Sequence, residues 1–120
     1  MSRLLRVASV GLVLLVGCQS RLKYERAFAV GPGDSNKSII DGPKYDQKVT
    51  VTLTTTGPVD LDVYLAKDAV QDGKPKTLLG SLTQSSGGQL DVQVPAKQEF
   101  IVEVSNARKE AKCTVKVEGK

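Results

Sequence analysis

From Lys48 onward the chain alternates with a period of two. Val49, Val51 and Leu53 are interleaved with Thr50, Thr52 and Thr54, and Leu61, Val63 and Leu65 with Asp60, Asp62 and Tyr64. The same holds for Leu90, Val92 and Val94 around Asp91 and Gln93, for Phe100, Val102 and Val104 around Ile101 and Glu103, and for Cys113, Val115 and Val117 around Thr114 and Lys116. Successive side chains of an extended chain point to opposite sides, so each segment reads as a strand with one apolar face. Residues 77–83 form a weaker strand broken by Gly80. Turn-forming residues punctuate the series: Gly57-Pro58, the polar loop 67–76, Ser85-Ser86-Gly87-Gly88 and Pro95-Ala96-Lys97-Gln98. Earlier, residues 27–30 and 38–41 read as short strands around the loop 31–36. The charged stretch 105–112 is compatible with a helical turn. No amphipathic helix separates the strands, so the crossovers of a parallel sheet are missing and the pairing should be antiparallel. Six apolar faces after residue 47 need cover, and two sheets packed face to face supply it. The expected fold is all-β, a small antiparallel β-sandwich of jelly-roll or immunoglobulin-like type, with a partly open barrel as the alternative.

The first residues follow a different logic. Arg3 and Arg6 precede an apolar run, 7–16, which as a helix spans only about 15 Å, half of a bilayer's hydrocarbon core. That is the profile of a signal peptide. The run ends in Leu15-Val16-Gly17-Cys18, which resembles the lipobox of bacterial lipoproteins at all four positions. The resemblance implies cleavage before Cys18 and a lipid thioether on its sulfur. It divides the chain into a signal peptide (1–17), a lipidated tether (18–26) and a sandwich domain (27–120). Gln19 stands where enteric-type lipoproteins carry an inner-membrane retention Asp, so in a two-membrane cell the expected location is the outer membrane. Without Arg3 and Arg6 the chain keeps 15 basic and 13 acidic groups. That near-balance gives no reason to expect nucleic-acid binding.

Within the sandwich, Val49-Thr50-Val51-Thr52-Leu53, Asp60-Leu61-Asp62-Val63-Tyr64-Leu65, Phe100-Ile101-Val102-Glu103-Val104 and Cys113-Thr114-Val115-Lys116-Val117 resemble the bacterial pre-peptidase C-terminal domain. The Asp-Leu-Asp-Val-Tyr-Leu segment is the distinctive one. The turn before the aromatic strand departs from that family, with Pro95-Ala96-Lys97-Gln98-Glu99 in place of Ala-Gly-Thr, and no hydrolase precedes the domain. The resemblance implies an accessory β-sandwich, in some members one that binds matrix or polysaccharide.

Composition narrows the chemistry. With no His, a His-based catalytic pair and a His-ligated zinc are excluded, and two Cys cannot make a four-thiolate site. Asp60 and Asp62 share one strand face, about 6–7 Å apart, where they could contribute to a Ca²⁺ site or act as an acid–base pair. Both readings compete with a plain polar face. Tyr64 on that face is a candidate ligand contact or a packing residue. Cys113 is in register with Val115 and Val117 and is expected to point inward as a small hydrophobe, an intermolecular disulfide being the alternative. Residues 108–112 read as a solvated charged loop. No cofactor is expected. The leading functional reading is a non-enzymatic, lipid-anchored envelope module that binds a protein or polysaccharide. The alternatives are a small hydrolase or Ca²⁺-binding domain using Asp60 and Asp62, and a subunit docked through an open edge strand.

Overall fold

A computed structural model describes residues 22–69 and 77–119. The signal peptide, Cys18 and most of the loop 67–76 lie outside the described residues. The strands are β1 (Lys23–Val30), β2 (Ser35–Ile40), β3 (Gln47–Leu65), β4 (Gly80–Val94), β5 (Phe100–Ser105) and β6 (Ala111–Gly119). A short 3-10 turn, Ala66–Asp68, follows β3. All pairings are antiparallel.

β3 and β4 run side by side along their whole length and form a long ribbon. On the other side of β3, the first half pairs with β6 and the second half with β5. β1 then adds to β6, and β2 to β5. The ribbon therefore belongs to two sheets, β1-β6-β3-β4 and β2-β5-β3-β4, which share one bent edge. The result is the expected sandwich, closed by hydrogen bonds along one side. On the opposite side β1 and β2 are not paired with each other. There the Arg26 guanidinium crosses the seam, donating to Ser38 Oγ at 3.4 Å and lying 5.5 Å from the centre of the Phe28 ring.

The bend explains where the sequence reading of the strands is corrected. Gly57-Pro58 is not a hairpin turn, nor is Ser85–Gly88; both lie inside long strands, so four strands follow residue 46 rather than six. Between the pair Thr54–Gly87 and the pair Leu61–Leu82, β3 spends six residues (55–60) against four on β4 (83–86). This irregularity is a β-bulge that turns the ribbon through a corner. Each arm has the same local device. Thr55 Oγ1 donates to the Gly57 carbonyl at 2.7 Å and accepts from the Gly57 amide at 3.3 Å. Ser85 Oγ donates to the Gly87 carbonyl at 2.8 Å and accepts from the Gly87 amide at 3.1 Å. The hydroxyls satisfy backbone groups that the broken ladder leaves free. Proline fits here because its missing N–H is no loss where the ladder is interrupted.

Two further differences matter. β1 begins at Lys23, inside the stretch read as tether, because Tyr24 and Phe28 pack against the core edge and Gly119 donates its amide to the Leu22 carbonyl at 2.8 Å. Residues 106–110 form an irregular loop with no helical turn, and Asn106 in it has a left-handed φ of 58°.

The core is the alternation made solid. Val49, Val51, Leu53, Leu61, Val63, Leu65, Val92, Val94, Phe100, Val102, Val104, Val115 and Val117 are all buried in one cluster, and Cys113 joins them as a free thiol. Each such side chain contributes about 1.5–3 kcal/mol by leaving water. Thr50, Thr52 and Thr54 take the opposite face of β3, where Thr50 Oγ1 donates to Asp91 Oδ1 at 2.7 Å across the ribbon.

Candidate functional site

Past the corner, β3 carries Leu61, Val63 and Leu65 into the core, and its alternation puts Asp60, Asp62 and Tyr64 on the outer face of the second sheet. That face is less open than a polar strand face usually is: Asp60 and Asp62 are each 7 % exposed and Tyr64 1 %.

Asp60 sits at the exit of the bend, and both carboxylate oxygens are engaged. Oδ1 accepts from the Gln84 amide at 2.7 Å and from Gln84 Nε2 at 3.1 Å; Oδ2 accepts from Asn106 Nδ2 at 2.6 Å. Gln84 Nε2 also donates to the Asn106 carbonyl at 3.0 Å. Gln84 and Asn106 both have left-handed backbones, with φ of 45° and 58°. Such conformations cost a non-glycine residue about 1–2 kcal/mol. One carboxylate thus joins three segments: β3, the bulged turn of β4, and the loop between β5 and β6.

Asp62 lies opposite Glu103 of β5, and Tyr64 opposite Ile101. The Tyr64 hydroxyl donates to Glu103 Oε1 at 2.8 Å. Burial raises the Tyr64 pKa well above the ordinary tyrosine value, and the bond to Glu103 and the charges of Glu103 and Asp62 push the same way. The phenol therefore stays protonated and acts as a donor. Among the described residues no group of three or more His, Cys, Asp or Glu gathers as metal ligands would.

The structure thus brings Asp62 and Tyr64 together around Glu103 and directs Asp60 to the corner. Glu103, Gln84 and Asn106 are the partners that sequence reading did not single out. Asn106 carried a signal, since Asn is enriched in left-handed positions just after a strand; Gln84 carried none.

A different surface carries a depression. On the outer face of the first sheet, next to the corner, an open depression of about 530 Å³ is lined by Ala27, Ala29, Thr54, Thr56, Lys112 and Thr114. Small side chains make it: β1 contributes alanines where β3 and β6 contribute threonines. The Lys112 amide donates to Thr56 Oγ1 at 2.9 Å and fixes its rim.

An all-β, antiparallel sandwich is a fold shared with known proteins. Aeromonas hydrophila PliG, a periplasmic lysozyme inhibitor of g-type lysozyme, superposes with a TM-score of 0.57 at 13 % identity, over 84 % of this chain and 87 % of that one. The Salmonella Typhimurium PliG gives 0.43 at 13 % identity, over 85 % and 89 %. The C-terminal carbohydrate-binding module of LamC, a marine laminarinase from Zobellia galactanivorans, gives 0.46 at 10 % identity, over 81 % and 98 %. No protein-family model and no curated protein sequence matches the chain.

Proposed function

We propose that this chain is a non-enzymatic binding module of the bacterial cell envelope, held on a membrane by lipid on Cys18 and presenting its sandwich to a protein or polysaccharide. In a two-membrane cell, Gln19 after Cys18 favours the outer membrane. The observation that carries the reading is how Asp60 is used. The carboxylate best placed for chemistry has both oxygens committed to three hydrogen bonds that hold the corner. The A. hydrophila inhibitor adds support, being a periplasmic protein of this fold whose partner is another protein. The partner surface we assign is the depression beside the corner, because it lies at the end of β1 remote from the anchor.

Two experiments test this. In the first, Cys18→Ser moves the protein from the membrane fraction to the soluble fraction, and mass spectrometry of the native N-terminus finds diacylglycerol on Cys18. An unmodified N-terminus ends the anchor reading. In the second, lysis of cell walls by a g-type lysozyme and sedimentation with envelope polysaccharides are measured for the wild type and for Ala29→Arg, which fills the depression. Binding or inhibition that Ala29→Arg removes supports the reading. Activity in neither assay, or activity that Ala29→Arg leaves intact, refutes the assigned surface.

A further inference from the structure

The end of the molecule nearest Cys18 is built as a single pole. Leu22 is fixed there by its carbonyl, which accepts from Gly119, and Gly119 is the ladder partner of Val49 near the start of β3. Gln47, which opens β3, pairs with Val94, which ends β4. The loops flanking these two residues, 41–46 and 95–99, are bonded to each other: the Lys97 amide donates to the Pro43 carbonyl at 2.7 Å, and the Ala96 amide to Asp46 Oδ1 at 2.8 Å. Gly42 is pressed against the Gln98 backbone. The two loops are thus tied to each other, and Tyr45 projects from them with 75 % of its surface exposed.

Only four peptide links separate Cys18 from Leu22, a reach of about 14 Å at full extension. A lipid on Cys18 therefore holds this pole within one short step of the headgroups. Tyrosine is enriched at membrane–water interfaces, where its ring lies among the apolar boundary and its hydroxyl stays wet. We propose that the pole formed by loops 41–46 and 95–99 rests on the lipid surface that carries the anchor, with Tyr45 entering the interface. The inference rests on the Cys18 reading. Lys23, Lys44, Lys48, Lys67 and Lys97 at this pole are matched in number by Glu25, Asp41, Asp46, Asp68 and Glu99. The contact is therefore driven by the ring and by proximity, and needs no anionic lipid.

The chain contains no Trp, so a single Trp reports its own surroundings. The experiment uses the full lipidated protein reconstituted in phosphatidylcholine vesicles with brominated chains, with and without phosphatidylglycerol. Tyr45→Trp is expected to show blue-shifted emission and strong quenching on both vesicle types. Arg108→Trp, in the loop at the opposite pole, is expected to keep water-like emission without quenching. A Tyr45→Trp signal that stays water-like while the protein floats with the vesicles overturns the inference and leaves the anchor standing. Quenching that requires phosphatidylglycerol overturns the charge-independent contact. A protein that does not float, with an unlipidated N-terminus, overturns the anchor reading and this inference with it.

Discussion

Replacing Asp60 by alanine is the most direct probe of how the corner is held. The substitution removes the acceptor for the Gln84 amide, for Gln84 Nε2 and for Asn106 Nδ2. A hydrogen bond to a charged group contributes about 1.5–3 kcal/mol, and a buried donor left without an acceptor costs about 1–3 kcal/mol. The three bonds share one carboxylate, and the Gln84 and Asn106 side chains can reach water after a small movement. Their contributions therefore do not add in full, and the expected loss is about 3 kcal/mol. A domain of this size has about 5–13 kcal/mol in total, so the variant should fold but melt about 12–24 °C lower. Asp60→Asn keeps one acceptor for Gln84 but turns an NH₂ towards Asn106 Nδ2, and should cost about half as much. Asn106→Gly should be milder than Asn106→Ala, because both lose the bond to Asp60 but only alanine retains the strain at φ 58°. Urea unfolding followed by circular dichroism measures all four. If Asp60→Ala loses less than about 1 kcal/mol, the carboxylate is not what holds the corner, and its burial must serve something else.

Tyr64 has a raised pKa, so the stability it contributes by staying protonated in the fold is fully present below about pH 10 and is lost progressively as pH climbs past that value, where the unfolded chain ionises first. The stability advantage of wild type over Tyr64→Phe should therefore stay level up to about pH 9 and shrink from about pH 10 upward in urea titrations; an advantage that grows would reverse the assigned direction. Gly42→Ala would drive a Cβ into the Gln98 backbone, which no rotamer change relieves, and should cost about 1–3 kcal/mol by thermal melting. Millimolar Ca²⁺ is expected to leave the melting temperature unchanged, since both Asp60 oxygens are already accepting; a rise of several degrees would reinstate a metal site. Cys113 is buried and free, so iodoacetamide should label it only in denaturant, and a rapid native reaction would contradict its placement.

The strands and the core were legible because burial on one face forces alternation, and no other structure produces it so regularly. What the sequence hid was continuity. Thr55-Thr56-Gly57 and Ser85-Ser86-Gly87 carry hydroxyl and glycine residues suited equally to a hairpin and to a bulge. A hairpin reverses the chain, a bulge only bends it, and the choice is made by the neighbouring strand. In this chain the two motifs lie across from each other, so neither can reverse without losing its partner. The start of β1 was hidden for a related reason. Lys23, Glu25 and Arg26 look solvated because on an edge strand they are; the ladder to β6 and the bond between Leu22 and Gly119 show that the backbone is already in the sheet. Asp60 and Asp62 were correctly placed on one face, but period two says nothing about which loops arrive above that face. The clamp therefore depended on Gln84 and Asn106, which lie 24 and 46 residues away from Asp60.

The open edges bear on how a partner could meet this domain. Among the described residues, β1, β2 and β4 each leave one side without a ladder neighbour. Such sides invite pairing with another chain unless something spoils them. β1 carries exposed Lys23, Glu25 and Arg26, β2 is six residues long with Lys37 in it, and β4 is bent at its glycines and carries Asp91. All three thus bear features that discourage strand addition. The seam between β1 and β2 is further spanned by Arg26. Recognition by an added strand is discouraged on β1 and β4, and β2 offers only a six-residue edge with Ile39 exposed, which leaves the faces and the poles as the larger surfaces. One pole is tied to the anchor through Leu22 under the proposed lipidation. The free pole has the corner, and the corner is rigid because Asp60 fixes it. A depression beside a rigid corner loses little conformational entropy when a partner enters it, and that is the physical condition for a small domain to bind tightly with few contacts.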